Sequence, residues 1–250
     1  MAHVRLYSIT SDVYRTVITA LNTVCITVHK CSIIVIYRLD SMKVGICMFY
    51  DDAIKKYSEI NYKINKKYCD KYNLQLVVSN DKRLPNRHSA WERLPLLLDN
   101  ISNFDYLIWV DADAFFYYDA NNILDVISDN KDVNFIFSRD VNSDNVNTGI
   151  MIVKNSQYSI DFLHKWLYDE ELYKNNPHPL WWDQGVLIGM MNNNILNIIE
   201  NCVKLGYGTL QHFYSYDKQP NTYIFHLAGR DATVRITESM KYFDKITKGT

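Results

Sequence analysis

The segment Phe104–Phe116, FDYLIWVDADAFF, runs an apolar strand directly into two carboxylates. After Asp105 the run YLIWV offers no polar side chain at alternate positions, so the strand it predicts over Asp105–Val110 is buried on both faces. It ends in Asp111-Ala112-Asp113. Side chains two apart on an extended strand point the same way, which turns both carboxylates toward one spot at the sheet edge. Ligands collect beyond the carboxyl ends of strands in α/β sheets. Paired oxygen donors there suit a hard divalent cation, Mn²⁺ or Mg²⁺. Aspartate is also common after strands as a turn former or helix cap, but the apolar residues on both sides separate this pair from a solvated charge run.

Strand and helix signals alternate on either side. Val44–Tyr50 (VGICMFY) reads as a strand, with Asp51 and Asp52 as candidate caps for a helix over Ala53–Tyr72, where Ile54, Tyr57, Ile60 and Ile64 share a face. Leu74–Val78 is a second strand. Ser89 and Glu92 have the spacing of a capping box for a helix reaching Asn100. Val133–Phe137, Ile150–Val153 and Tyr223–His226 read as further strands, and Asp161–Leu172 and Asp183–Met191 as helices. This order predicts an α/β fold, a mostly parallel Rossmann-like sheet flanked by helices, in one domain over residues 43–250.

Residues 1–42 stand apart as an extension. Val17–Val28 and Ser32–Tyr37 are apolar, but His29 and Lys30 interrupt them, short of the roughly 18 residues of a membrane span. No clean cleavage-site pattern marks a signal peptide. The 27 basic and 28 acidic residues give a net charge of −1, which excludes nucleic-acid binding through bulk electrostatics. Five scattered cysteines (Cys25, Cys31, Cys47, Cys69 and Cys202) form no CxxC pair, so free thiols in a reducing compartment are expected, which favours the cytosol or a cytosolic membrane face. Abundant Asn, Lys, Ile and Tyr read as mutational bias, which lowers the weight of any single one.

Two downstream segments carry chemistry. Trp181-Trp182-Asp183-Gln184-Gly185 places aromatics, a carboxylate and an amide at a helix start, where Asp183 also reads as a simple cap. His226-Leu227-Ala228-Gly229-Arg230 brings a ring nitrogen, a tight turn and a guanidinium together after a strand, as a metal–diphosphate site requires.

SAWERLP (Ser89–Pro95), FDYLIWVDADAFF, Asn147-Thr148-Gly149, WWDQG and HLAGR occur in the order found in glycosyltransferase family 34, which the chain resembles over roughly residues 43–232. The resemblance implies a GT-A fold, a nucleotide-sugar donor (a UDP-sugar ahead of a GDP-sugar), Mn²⁺ dependence and retention of anomeric configuration. It implies that Asp111, Asp113 and His226 hold the metal. Arg93, Asp111, Asp113, Asn147, Gly229 and Arg230 would contact the donor, and Asp183 and Gln184 the reacting sugar. Trp182 departs from relatives that carry a second acid there. The acceptor class implied is a glycan, glycoprotein or lipid. Family members from eukaryotes are Golgi proteins with an amino-terminal anchor, and this chain has no convincing one.

Three other readings compete. Glycogenin-like GT-A enzymes also pair DxD with a late His–Gly–basic segment. A non-catalytic nucleotide-sugar-binding module predicts a degraded metal site, whereas Asp111, Asp113 and His226 are all present. Haloacid-dehalogenase phosphatases open on a strand ending in DxD, but Phe115 stands where they usually have Thr or Val.

Overall fold

The computed structural model describes residues 6–8, 33–35, 42–141, 143–213 and 222–248. The chain divides into two compact units, residues 1–42 and 43–250. In the first, β1 (Leu6–Ser8) pairs antiparallel with β2 (Ile33–Val35). The apolar stretch Val17–Val28 lies outside the described residues, as do Cys25 and Cys31. Among the described residues no helix is long and apolar enough to cross a membrane.

The second unit is an α/β layer structure. Its elements are β3 (Val44–Phe49), α1 (Lys55–Tyr72), β4 (Gln75–Ser79), α2 (Arg93–Asn100), β5 (Tyr106–Val110), β6 (Ala114–Phe116), α3 (Leu124–Asp129), β7 (Phe135–Arg139) and β8 (Val146–Lys154). There follow α4 (Gln157–Tyr168), α5 (Glu170–Lys174), α6 (Trp182–Asn192), β9 (Cys202–Leu205), β10 (Gln211–His212), β11 (Ile224–His226) and α7 (Ala232–Lys248). The main sheet has the order β4-β3-β5-β8-β7-β9. Only β8 runs against the others, so the sheet is mostly parallel, as the strand–helix alternation predicts. β3, β5 and β8 are buried at nearly every position, as interior strands covered on both faces must be. One face packs Leu94, Leu97, Phe162, Trp166 and Leu187 of α2, α4 and α6 against Leu107, Trp109, Met151 and Val153 of the strands.

Three local expectations are corrected. Glu92 closes no capping box: its carboxylate turns away and accepts Arg83 N–H and Leu84 N–H, while Ser89 Oγ donates to Asp51 Oδ2. Residues 89–92 form a 3₁₀ turn, capped by His88 Nδ1 accepting from Ala90 N–H, and α2 starts at Arg93. Neither Asp51 nor Asp52 is the N-cap of α1, a position held by Ile54, and Asp51 Oδ1 closes a local turn on Ala53 N–H. The helix expected over 161–172 breaks at Asp169, whose carboxylate caps α5 through Glu171 and Leu172 N–H.

A three-stranded sheet, β10-β11-β6, brings the distant parts of the site together. β6 and β11 pair antiparallel with His226 opposite Ala114, one residue from Asp113. Leu227 N–H also donates to Asp113 O at 2.9 Å. The β5–β6 loop and β6 are held from behind by α1. Asn61 Nδ2 donates to Ala112 O (2.9 Å), Asn65 Nδ2 to Ala114 O (3.1 Å), and Asn65 Oδ1 accepts Phe116 N–H (2.8 Å). Residues 61 and 65 lie one turn apart on a helix, so one buried face supplies both amides.

Candidate active site

The carboxyl ends of β3 and β5, the loop before α2, the start of α6 and the end of β11 surround a cleft of about 920 Å³. That is the size of a cofactor or substrate pocket. Asp111, Asp113, Asn147, Asp183, Gln184, Arg93, His226 and Gly229 all line it. Arg230 is exposed and is not among the lining residues. The guanidinium that faces the cleft from this end of the chain is Arg235, in the first turn of α7. It stands 2.6 Å from Asp113 Oδ2 and 3.2 Å from Tyr57 Oη.

Asp111, Asp113 and His226 present one donor atom each within 4.8 Å of one another. The orientation of the imidazole follows from a chain of buried hydrogen bonds. The backbone N–H of Gly149 can only donate, so the atom of Asn147 it meets at 2.9 Å is the amide oxygen. Gln211 Nε2 donates to that same oxygen at 3.2 Å, which turns Gln211 Oε1 toward His226 Nδ1 at 2.7 Å. Nδ1 therefore carries the proton, and the Nε2 lone pair faces Asp113 Oδ1 at 3.2 Å and Asp111 Oδ2 at 3.9 Å. A lone pair that close to a carboxylate is repelled unless a cation stands between them, as a proton on Nε2 or a metal ion. Two hard carboxylate oxygens and one imidazole nitrogen are a donor set that Mn²⁺ accepts, and an imidazole whose far nitrogen is fixed by an amide is how proteins orient a metal-binding ring.

Gly149 is dictated by that ring. A Cβ at this position would lie 2.1 Å from His226 Cε1 and 2.9 Å from Asn147 Oδ1. Gly149→Ala therefore displaces the imidazole, and we expect Mn²⁺ affinity to fall by about 10–100-fold, with a loss of stability of roughly 1–3 kcal/mol from the forced repacking. Calorimetric titration with Mn²⁺ and thermal melting check both. Gln211→Leu tests the ring's orientation without crowding it. The expected result is a drop of about 10-fold or more in Mn²⁺ affinity in a chain that still folds; unaltered affinity would deny Gln211 this role.

The three carboxylates sit in different fields. Burial pushes the Asp111 carboxyl up, against the Arg93 guanidinium, with Asp113 adding to the rise. Burial works against the charge of Asp113 too, but His226 and Arg235 outweigh it and hold that carboxyl below its ordinary value. Asp113 is therefore the first of the pair to ionise. Asp183 is 1% exposed at the start of α6, and burial pushes its pKa up to about 7 against the attraction of Arg93. It does not cap α6. Its Oδ2 lies 3.1 Å from Arg93 Nε, yet that N–H donates to Ala90 O, so Oδ2 has ionic attraction and no hydrogen bond. Arg93 itself is buried, with Nη2 3.2 Å from Asp111 Oδ1 and Nη1 donating to Thr148 O. It thus stands as counter-ion between two acids. Trp109 Nε1 adds a 2.6 Å bond to Asp111 Oδ1.

Gln184 Oε1 accepts Thr148 N–H at 3.0 Å, which ties the start of α6 to β8. Gln211, Arg235 and Tyr57 lie outside the motifs, and Trp109, though inside FDYLIWVDADAFF, reads there only as a buried strand residue. Gln211 sits in a two-residue strand, and Arg235 lies five residues beyond the HLAGR segment, on the next helix. A signal for Arg235 exists in hindsight: the first turn of a helix that follows the histidine strand must face the same sheet edge.

Residues 65–214 match the model of a family described as protein of unknown function, DUF273. No curated protein sequence matches the chain. Among solved structures, it is similar to a glycosyltransferase involved in glycosylation of the major capsid of PBCV-1, at 12% identity over 80% of this chain and 99% of that one, with a TM-score of 0.64. It is similar to the galactosyltransferase LgtC, solved with donor and acceptor sugar analogues, at 12% identity over 79% and 95% of the two chains (TM-score 0.53). The glycosyltransferase GlyE of Streptococcus pneumoniae TIGR4 matches at 13% identity over 84% of this chain and 64% of its own (TM-score 0.54). At such identities the likeness is one of fold, and the fold is GT-A. The family match runs from α1 through the strand that carries Gln211, well over half of the chain, and places this protein in the DUF273 family.

Proposed function

We propose that residues 43–250 form the catalytic domain of a metal-dependent, retaining glycosyltransferase. It would move a hexosyl or pentosyl group from a nucleotide-diphosphate sugar, a UDP-sugar ahead of a GDP-sugar, to a hydroxyl of a glycan, glycoprotein or lipid acceptor. The observation that carries this reading is the Asp111–Asp113–His226 cluster, with its ring orientation fixed by Gln211, in the cleft of a GT-A fold. The WERLP and WWDQG segments support kinship with family 34 over glycogenin-like enzymes, which share the DxD and the late His–Gly–basic segment. The intact donor set speaks against a non-catalytic binding module.

A divalent cation held by these three side chains supplies fixed positive charge opposite a diphosphate leaving group. The chain's own residues do the rest. Arg93 and Arg235 offset part of the negative charge of Asp111, Asp183 and Asp113, so that three acids coexist in one cleft. When ionised, Asp183 opposes positive charge growing at the anomeric carbon. A carboxylate that is 1% exposed and paired to Arg93 makes a poor nucleophile, which favours front-face attack over double displacement. In that route the anomeric bond to phosphate breaks, the bond to the acceptor oxygen forms on the same face, and the acceptor's proton passes to the departing phosphate oxygen. Positioning then accounts for much of the barrier reduction.

The test is donor turnover. Purified protein is incubated with UDP-galactose, UDP-glucose, UDP-xylose, UDP-N-acetylglucosamine and GDP-mannose, with Mn²⁺ or with EDTA, and released nucleoside diphosphate is measured. Mn²⁺-dependent release from one donor is expected. Absence of both release and calorimetric binding of UDP or GDP with Mn²⁺ sinks the proposal.

A further inference from the structure

Large apolar side chains cluster on the outside at one place along the cleft. Leu180 is 84% exposed, and Trp181 and Trp182 are each 43% exposed, at the entry to α6. All three line the cleft beside Asp183. Neither indole hangs loose. Trp182 is stacked on His88 with ring centroids 3.6 Å apart and planes within 3°, and Trp181 on His178 at 4.4 Å and 25°. His88 belongs to the loop before α2 and Trp182 to α6, so the first stack joins two walls of the cleft.

The backbone below is held as firmly. Asn176 Oδ1 accepts His178 N–H at 2.8 Å, and Asn176 Nδ2 donates to Trp182 O at 2.9 Å. A Cβ on Gly185 would fall 2.3 Å from His178 O, so glycine is required for the loop to pass this close to the helix. Trp182 takes φ +48° and ψ −119°, a conformation that costs a bulky residue strain and that surrounding structure must impose. Among the described residues these exposed aromatic faces on a rigid, strained backbone serve no core, and they border the candidate site.

We propose that Trp181 and Trp182 form the acceptor subsite and that its occupant is a pyranose ring of a glycan acceptor. This rests on the glycosyltransferase reading and names the acceptor class within it. A pyranose presents one face of C–H bonds, apolar and slightly positive, which stacks on the negative face of an indole, while its rim of hydroxyls needs hydrogen-bonding neighbours. Both are at hand. His88 Nδ1 accepts from Ala90 N–H, so the neutral ring carries its proton on Nε2 as a donor, and burial together with Lys82 and Arg93 holds its pKa below the ordinary value and keeps it neutral. Paired, edge-defined aromatics fit a flat ring better than an acyl chain, for which flexible aliphatic side chains are the usual lining.

The experiment is saturation-transfer-difference NMR on the full chain with UDP and Mn²⁺. The probes are lactose, cellobiose, maltose, N-acetyllactosamine and methyl α-mannoside, beside phosphatidylcholine–phosphatidylglycerol vesicles in a sedimentation assay. Saturation transfer to the axial C–H protons of at least one saccharide is expected, weakened 10-fold or more in Trp181→Ala and largely restored in Trp181→Phe. Trp182→Gly, which relieves the strained φ, gives the same loss in a chain that melts no lower than the parent. UDP affinity, read by calorimetry, stays within 3-fold in these variants. No transfer to any saccharide, equal transfer in Trp181→Ala, or vesicle binding that depends on Trp181 overturns the assignment. Failure of the parent to bind either UDP or GDP with Mn²⁺ defeats the glycosyltransferase reading separately.

Discussion

Asp113→Asn is expected to lower nucleoside diphosphate release from the sugar nucleotide by roughly 10²–10³-fold, the cost of losing one fixed charge at a site of developing negative charge. Three relations converge on this carboxylate: His226 Nε2 at 3.2 Å, Arg235 at 2.6 Å, and one ligand position in the candidate metal set. An amide keeps the volume but gives up the charge, and it can turn an N–H₂ toward the ring nitrogen. Mn²⁺ affinity should fall with turnover. Folding should weaken too, because the folded chain holds this carboxyl below its ordinary value, and Arg235, only 22% exposed, loses its charged partner. The asparagine variant should therefore melt below the parent, and turnover is compared at a temperature where circular dichroism shows both chains folded. Turnover within tenfold of the parent would remove Asp113 from the mechanism.

The fold was readable because its signals are local. YLIWV is buried at every position, and a run this short, rich in aromatic and β-branched residues, reads as an interior strand rather than a buried helix. Ile64 and Tyr68 with Tyr57 mark the inner face of α1, but the two residues on that face that hold the DxD loop, Asn61 and Asn65, belong to a residue type discounted as compositional bias. The capping-box expectation failed because Glu92 found two backbone donors in the preceding loop, a partner that spacing along a helix cannot reveal. Asp111, Asp113 and His226 were visible as types in the right order. Their convergence depends on the β6–β11 register, which sets His226 opposite Ala114 across 112 residues of chain. Gln211 was not legible, and Arg235 only as a basic residue in the first turn after the histidine strand: each acts through a neighbour, Gln211 by fixing a ring and Arg235 by pairing with an acid, and neither sits in a motif. Arg230 is the converse, a basic residue at the expected position whose place in the fold is outside the cleft lining.

Asp183→Asn should separate stability from activity. Burial raises this carboxyl from its ordinary value of 3.8 to about 7, so between those limits the native chain holds a proton that the unfolded chain has released. Folding takes up that proton, and stability therefore falls as pH rises through the interval; above pH 7 the penalty is fully present. At about 1.4 kcal/mol per pKa unit the penalty is on the order of 4 kcal/mol at most. An amide placed where Oδ2 has no hydrogen-bond partner returns part of it. We expect Asp183→Asn to gain roughly 1–2 kcal/mol at pH 8, about 2–8 °C in melting temperature for a chain of this length, and to gain nothing below about pH 3, where both states of the parent's side chain approach neutrality. Activity runs the other way. If ionised Asp183 opposes charge at the anomeric carbon, donor turnover by the parent rises with pH through about 7, and the asparagine variant loses about 10²-fold at pH 8 together with that rise. Melting curves from pH 3 to pH 8 and turnover from pH 5 to pH 8 give both profiles. A variant less stable than the parent at pH 8 would show that the Arg93 pairing outweighs burial, and a retained rise in turnover would assign the titration to another group.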